Sequence, residues 1–91
     1  MIAACRTVLI TNKRGLHARA SAKFVTMASG IGARIEVEKD GAKVVGTSIM
    51  GLMMLGAGMG DEITIRAHGD GAEAAVASLA ELVEAKFHEA E

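Results

Sequence analysis

Residues 34–45 read RIEVEKDGAKVV, the clearest indication of architecture in this chain. Apolar Ile35 and Val37 alternate with two glutamates, which is the two-residue period of a strand with one buried and one solvated face. Asp40-Gly41 follows, and such a pair between two alternating runs is typical of a two-residue hairpin turn. The pattern predicts strands over 34–39 and 42–45, and their polar faces favour an antiparallel sheet that is solvated on one side.

Five other segments have a strand or helix period: strands over 6–11 and 62–67, and helices over 18–29, 48–55 and the residues after Asp70. Asp70 and Glu73 resemble a capping box for the last helix. Its predicted buried stripe consists of Val76, Leu79, Ala80, Val83 and Phe87. The order β-α-β-β-α-β-α predicts an α+β fold in one domain over residues 1–91. This is an open-faced β-sandwich, a four-stranded antiparallel sheet with three helices on one face.

Composition limits the core and the partners. Hydrophobic residues make up 51% of the 91 residues but aromatics only 2%, so the core must be aliphatic, with methionine filling irregular gaps. The net charge of −1 argues against non-specific nucleic-acid binding, which needs a basic surface. Cys5, the single cysteine, is expected as a small buried residue of a strand.

Other features of the chain exclude further classes. No apolar run approaches the roughly 20 residues that cross a bilayer, so no membrane insertion is expected. The N-terminal residues lack the pattern of a signal peptide, which favours a cytoplasmic protein. The histidines and the cysteine show no metal-ligand spacing, so we expect no metal, and His68 and His88 are interpreted as surface residues. We expect a monomer.

Residues 12–21, NKRGLHARAS, contain the candidate for chemistry. His17 lies where a loop ends and a helix begins, and a helix start offers unpaired N–H groups and a positive dipole end. This start has no Ser, Thr, Asp or Asn cap, so a phosphate could bind the N–H groups of Ala18 and Arg19 instead. Arg19 in the first turn is favourable only if it meets an anion. The residues alone leave open whether His17 carries a phosphoryl group or has a structural or solvated role.

The motif Gly15-Leu16-His17-Ala18-Arg19, followed downstream by Ser48-Ile49-Met50-Gly51, resembles HPr, the histidine-containing phosphocarrier family of the bacterial phosphotransferase system. The resemblance spans essentially the whole chain. It implies that His17 accepts phosphate on Nδ1 from phosphorylated enzyme I and passes it to an enzyme IIA domain. It also implies that Arg19 contacts the phosphate and the partner. A carrier of this kind is not an enzyme and needs no cofactor.

Ala20 departs from the family pattern, which usually has proline there. Proline suits a first helical turn because its missing N–H would be unpaired anyway. Alanine restores that donor and is an excellent helix former, so we expect transfer to survive with an altered rate or partner preference. The sequence of residues 15–23 resembles that of carriers in a nitrogen-linked regulatory branch, which we therefore expect here, with sugar uptake as the alternative.

Ser48 is predicted to cap the short helix. The resemblance adds that Ser48 matches the serine modified by HPr kinase/phosphorylase. A phosphate there adds about two negative charges, which should weaken docking to an acidic partner rather than unfold the domain. The rival function is therefore a regulatory adaptor that acts through Ser48 without phosphoryl relay.

The second helix is too apolar on all sides to be fully buried in so small a domain. We expect its uncovered part to form a docking patch for partners. The predicted docking residues are Ala20, Ile49, Met50 and Met53, with Met54 and Met59 as further exposed methionines. The glycine-rich residues 56–60 lack a phosphate-loop lysine and are interpreted as a connector.

Overall fold

The computed structural model describes residues 3–90. Four strands and three α-helices follow one another in the predicted order: β1 (Ala3–Leu9), α1 (Ala18–Ser29), β2 (Arg34–Lys39), β3 (Ala42–Val45), α2 (Ile49–Met54), β4 (Glu62–His68) and α3 (Ala72–Glu84). A short turn over Lys86–His88 comes after α3. The strand order is β1-β4-β2-β3, and every neighbouring pair is antiparallel. The predicted open-faced sandwich is confirmed.

The hairpin forms as its sequence predicts. Lys39 and Ala42 are paired across the turn, and the two residues between them have positive φ angles of 50° at Asp40 and 84° at Gly41. Positive φ at both positions is the geometry that matches the twist of the flanking strands. The two-residue turn therefore fixes the register of β2 on β3.

The core lies between the sheet and the helices. β4, one of the two inner strands, contributes Ile63, Ile65 and Ala67, every second residue. Phe24 of α1 and Leu79 of α3 belong to the same buried cluster. Phe87, predicted in the stripe of the last helix, is fully buried but lies beyond the end of α3. The core is aliphatic apart from two phenylalanines, as the composition predicts. The prediction that methionine fills its gaps is wrong for the described residues, because Met27 is only partly buried and the methionines of residues 50–59 are exposed.

The expectation that Cys5 is buried is wrong, because Cys5 is exposed. β1 begins at Ala3 rather than at residue 6, and alternation along it places Val8 towards the core. Cys5 and Thr7 therefore point to the open face, where Thr7 Oγ1 lies 2.9 Å from Thr64 Oγ1. Extending the alternation back from Val8 would have given the correct side.

The capping box predicted at Asp70 is also wrong. α3 begins at Ala72, and its N-cap is Gly71, which has φ 78° and no side-chain capping bond. Asp70 lies one residue too early to cap, although Glu73 is in the first turn, where a carboxylate is favourable. Within residues 3–90 no helix is long and apolar enough to cross a membrane.

Candidate functional site

His17 is the N-cap of α1. Its backbone is extended (φ −74°, ψ 178°), and its side chain makes no capping hydrogen bond. The first intrahelical bond runs from the Ser21 N–H to the His17 carbonyl, at 2.9 Å. The N–H groups of Ala18 and Arg19 precede this bond, so the helix geometry gives them no acceptor. The first turn contains no acidic residue, which leaves the positive helix end available to an anion.

Gly15 shapes the loop that presents His17. Its φ is +62°, and a Cβ built on it would lie 2.4 Å from the Ala57 carbonyl oxygen. The Leu16 N–H donates to that same carbonyl at 2.9 Å. Only glycine allows this close approach. The chain after α2 thus supports the loop before α1.

A third segment, which the sequence did not predict, completes the site. Glu89 Oε2 is hydrogen bonded to His17 Nε2, and Asn12 Nδ2 donates to Glu89 Oε1 at 3.0 Å. Asn12 is fully buried and also donates to the Gly15 carbonyl at 2.9 Å. The site therefore joins the loop after β1, the start of α1 and the residues after α3.

The turn that leads to Glu89 is left-handed. Lys86, Phe87 and His88 have φ angles of 57°, 55° and 58°, which non-glycine residues rarely adopt. Burial of the Phe87 ring holds the turn, and Lys23 Nζ of α1 donates to the Phe87 carbonyl at 2.7 Å. The strain is compensated by contacts to elements far away in sequence.

The cleft around His17 is predominantly cationic. It has a volume of about 340 Å³ and is lined by Lys13, Arg14, His17, Arg19, Lys23, His88, Glu89 and Ala90. Burial alone would raise the pKa of Glu89, but the hydrogen bonds from His17 and Asn12 and the charges of His17 and Lys23 lower it. The carboxylate is therefore charged at neutral pH. A cleft of this kind suits a group with more negative charge than one carboxylate.

The predicted docking residues divide into two groups. Ile49, Met50, Met53 and Met54 are exposed on α2, and Met59 is exposed in the loop that follows it. Ala20 is fully buried, so its side chain cannot touch a partner. The docking prediction for Ala20 is wrong because the residue lies on the inward stripe of α1.

Ser48 is the N-cap of α2, as predicted. Its Oγ accepts a hydrogen bond from the Gly51 N–H at 3.0 Å. His88 is exposed, whereas His68 is half-buried, with its Nε2 3.3 Å from Glu36 Oε1. Among the residues that the structure describes, no cluster of His, Cys, Asp and Glu could hold a metal ion.

Comparison with known proteins gives consistent matches. The family model described as the PTS HPr component phosphorylation site matches residues 4–85. The chain is 45% identical over 85 residues to the phosphocarrier protein NPr of Shewanella violacea, which covers 93% of each protein. It is 40% identical over 86 residues to the phosphocarrier protein HPr of Cupriavidus necator, covering 94% of this chain and 97% of that protein.

The fold is similar to that of a solved structure of HPr-C-His from Thermoanaerobacter tengcongensis. The TM-score is 0.91 at 45% identity, and the match covers 97% of this chain and 99% of the other. His17 and Ser48 lie within the residues matched by the family model, whereas Glu89 lies beyond them.

Proposed function

The chain belongs to the HPr family of phosphotransferase-system phosphocarriers, and on that premise we propose that His17 is the residue that carries the phosphoryl group. His17 accepts the group from phosphorylated enzyme I and passes it to an enzyme IIA domain. The observation that carries the proposal is the position of His17 inside a cationic cleft. His17 is the N-cap residue of α1, and no side chain forms a capping hydrogen bond at this helix start.

Phosphoryl transfer requires few catalytic groups from the carrier itself. The lone pair of His17 Nδ1 attacks phosphorus, and the nitrogen–phosphorus bond of the donor histidine breaks with its electron pair remaining on the donor nitrogen. Phosphoryl transfer depends on positioning and charge stabilisation, and the first N–H groups of α1 and the Arg19 guanidinium supply both. In transfer to the acceptor, the bond between Nδ1 and phosphorus breaks and its electron pair returns to Nδ1. The protein passes a group from one partner to another and is therefore a carrier rather than an enzyme.

Partners dock beside this site, in our proposal, on the exposed side chains of α2. Ile49, Met50 and Met53 offer an apolar surface on α2, which packs against α1, the helix that begins at the cleft. Flexible methionines suit a surface that must bind enzyme I and enzyme IIA domains in turn. Phosphorylation of Ser48 by HPr kinase/phosphorylase would place about two negative charges at this surface and weaken docking to an acidic partner.

The carrier could serve either sugar uptake or a nitrogen-linked regulatory branch. Ala20 in place of the usual family proline favours the nitrogen-linked regulatory branch over sugar uptake in our proposal. Phosphorylated protein offered to enzyme IIA domains of both branches separates the two, because the cognate domain will be phosphorylated faster.

The test of the relay is phosphorylation by enzyme I and phosphoenolpyruvate. Mass spectrometry should show one acid-labile phosphate on the unmodified chain and on Ser48→Ala, and none on His17→Ala. His68→Ala is the matched control, because His68 also pairs with a glutamate but lies on the sheet. Unchanged labelling of His17→Ala would refute the proposal. No labelling of the unmodified chain by enzyme I, together with acid-stable phosphate on Ser48 after incubation with HPr kinase/phosphorylase and ATP, would favour the regulatory adaptor.

A further inference from the structure

Glu89 is held more firmly than a surface glutamate. Each carboxylate oxygen has its own hydrogen-bond partner, His17 Nε2 for Oε2 and Asn12 Nδ2 for Oε1. The side chain of Glu89 is only 11% exposed and that of His17 17% exposed. A carboxylate fixed in this way sets the orientation of the imidazole ring.

The protein also accepts strained backbone to place this carboxylate. Three consecutive non-glycine residues, Lys86, Phe87 and His88, are left-handed immediately before Glu89. Backbone of this kind persists only where surrounding contacts hold it, and it is found most often at functional sites. The buried Phe87 and the bond from Lys23 to the Phe87 carbonyl provide that support.

We propose that Glu89 is a positioning residue for phosphoryl transfer, which selects the tautomer of His17 that leaves Nδ1 free to react. The inference rests on the proposed function of His17. A carboxylate only accepts hydrogen bonds, so its partner Nε2 must carry the proton. A neutral imidazole has one N–H, and Nδ1 therefore keeps the lone pair that attacks phosphorus.

Glu89 also stabilises the product of the transfer. When Nδ1 forms its bond to phosphorus, the proton stays on Nε2 and the ring becomes positively charged. The carboxylate lies against that charge, in the way that a buried aspartate supports the imidazolium of a catalytic triad. In the onward step the bond to phosphorus breaks, its electron pair returns to Nδ1, and His17 leaves as a neutral ring with the same proton.

The surroundings keep Glu89 in its charged form. Burial, the largest single influence, would raise the pKa of Glu89, but the hydrogen bonds from His17 and Asn12 and the charges of His17 and Lys23 together lower it. The other charged or titratable groups around the cleft are Lys13, Arg14, Arg19 and His88. None of them is an acid, so among the described lining residues the role of hydrogen-bond acceptor falls to Glu89.

The test compares Glu89→Gln with Glu36→Gln, which removes the carboxylate beside the other half-buried histidine. Loss of a partner that orients a metal-bound histidine typically costs about 10–100-fold in affinity or activity, and Glu89 orients His17 in the same way. We expect a fall of this order in the single-turnover rate of phosphorylation of Glu89→Gln by enzyme I, and no change for Glu36→Gln.

Nitrogen-15 NMR of the His17 ring provides the readout that a merely structural role would not move. We expect the unmodified protein to be protonated at Nε2 alone when the ring is neutral, and Glu89→Gln to populate both tautomers. An unchanged rate together with an unchanged tautomer would overturn the inference. So would a slower rate with an unchanged tautomer.

Failure of this inference is distinguishable from failure of the proposed function. If the unmodified protein accepts phosphate on His17 and Glu89→Gln accepts it at the same rate, only the role of Glu89 is lost. If the unmodified protein accepts none, the proposed function itself fails. Glu89→Ala, with a thermal unfolding curve, shows whether a slower rate accompanies loss of the fold, in which case the tautomer of the folded fraction decides.

Discussion

The first backbone N–H groups of α1 and α2 have no acceptor within their own helix, and the two helix starts differ in how these groups are paired. At α2 the Ser48 hydroxyl accepts the Gly51 N–H at 3.0 Å, so the helix closes its own end. At α1 the N-cap is His17, which makes no capping bond, and its ring is paired instead with a glutamate 72 residues along the chain. A locally capped start is complete as structure, whereas an uncapped one keeps donors available for an incoming anion.

The two helix starts would also respond differently to phosphorylation, at His17 for α1 and at Ser48 for α2. A phosphoryl group on His17 would add acceptors where the helix end has unused donors. A phosphate on Ser48 would be attached to an oxygen that already serves as a cap. The first change completes a site, and the second adds charge to a finished one, which fits relay at His17 and regulation at Ser48.

The largest expected effect on this contrast comes from Gly15→Ala, which disturbs the loop before α1 and not the capping bond of α2. The new Cβ would lie 2.4 Å from the Ala57 carbonyl oxygen, at a residue with φ +62°. We expect a loss of about 1–3 kcal/mol in the free energy of unfolding and, because His17 shifts, a fall in phosphotransfer rate of roughly 100-fold. Urea unfolding and single-turnover phosphorylation measure the two effects.

Gly41→Ala is the control for that variant. Gly41 also has a positive φ, of +84°, but nothing lies within 4 Å of its added Cβ. Strain without a clash should lower stability and leave the phosphotransfer rate unchanged. Equal rates for Gly15→Ala and Gly41→Ala would mean that the loop before His17 tolerates displacement.

An intermediate effect is expected at the other helix start. Ser48→Ala removes the capping oxygen of α2, which should cost about 1 kcal/mol in the free energy of unfolding. Phosphorylation of His17 should be unaffected. Thr47→Ala, at an exposed neighbour outside the cap, should change neither quantity. If Ser48→Ala were as stable as Thr47→Ala, the capping bond would make no contribution to the free energy of unfolding.

The smallest effect is expected for Ala20→Pro. Ala20 is the third residue of α1, so its N–H precedes the first intrahelical bond and proline removes no such bond there. Stability should change by no more than about 1 kcal/mol, and phosphotransfer should continue at an altered rate. Ala22→Pro, in the helix interior, should cost about 3 kcal/mol. Complete inactivity of the natural alanine form beside an active proline form would contradict this expectation.

The sequence predicted most of the fold because its determinants are local. Strand alternation and Asp40-Gly41 defined the hairpin, and the apolar stripe from Ala20 to Ala28 gave α1 its observed bounds. The third helix shows the limit of a local pattern, since Asp70 and Glu73 have the right spacing for a capping box. The chain instead begins α3 after a left-handed Gly71.

The candidate site was predictable only in part. His17 could be identified from its neighbours, but its contact with Glu89 depends on a left-handed turn of non-glycine residues. Such a turn has no local signature, because the buried Phe87 and Lys23 of α1 hold it. The one available clue was the apolar stripe of the last helix, which continues to Phe87 and implies that the following residues lie close to the body of the domain.

The exposure of Cys5 has a practical consequence. This thiol is the single cysteine of the chain and is exposed on the open face of the sheet, while α1 lies on the opposite face. A maleimide dye or a surface tether can therefore be attached at one defined point of the natural sequence. The helical face, with His17 and the exposed methionines, would remain accessible to partners in a binding assay.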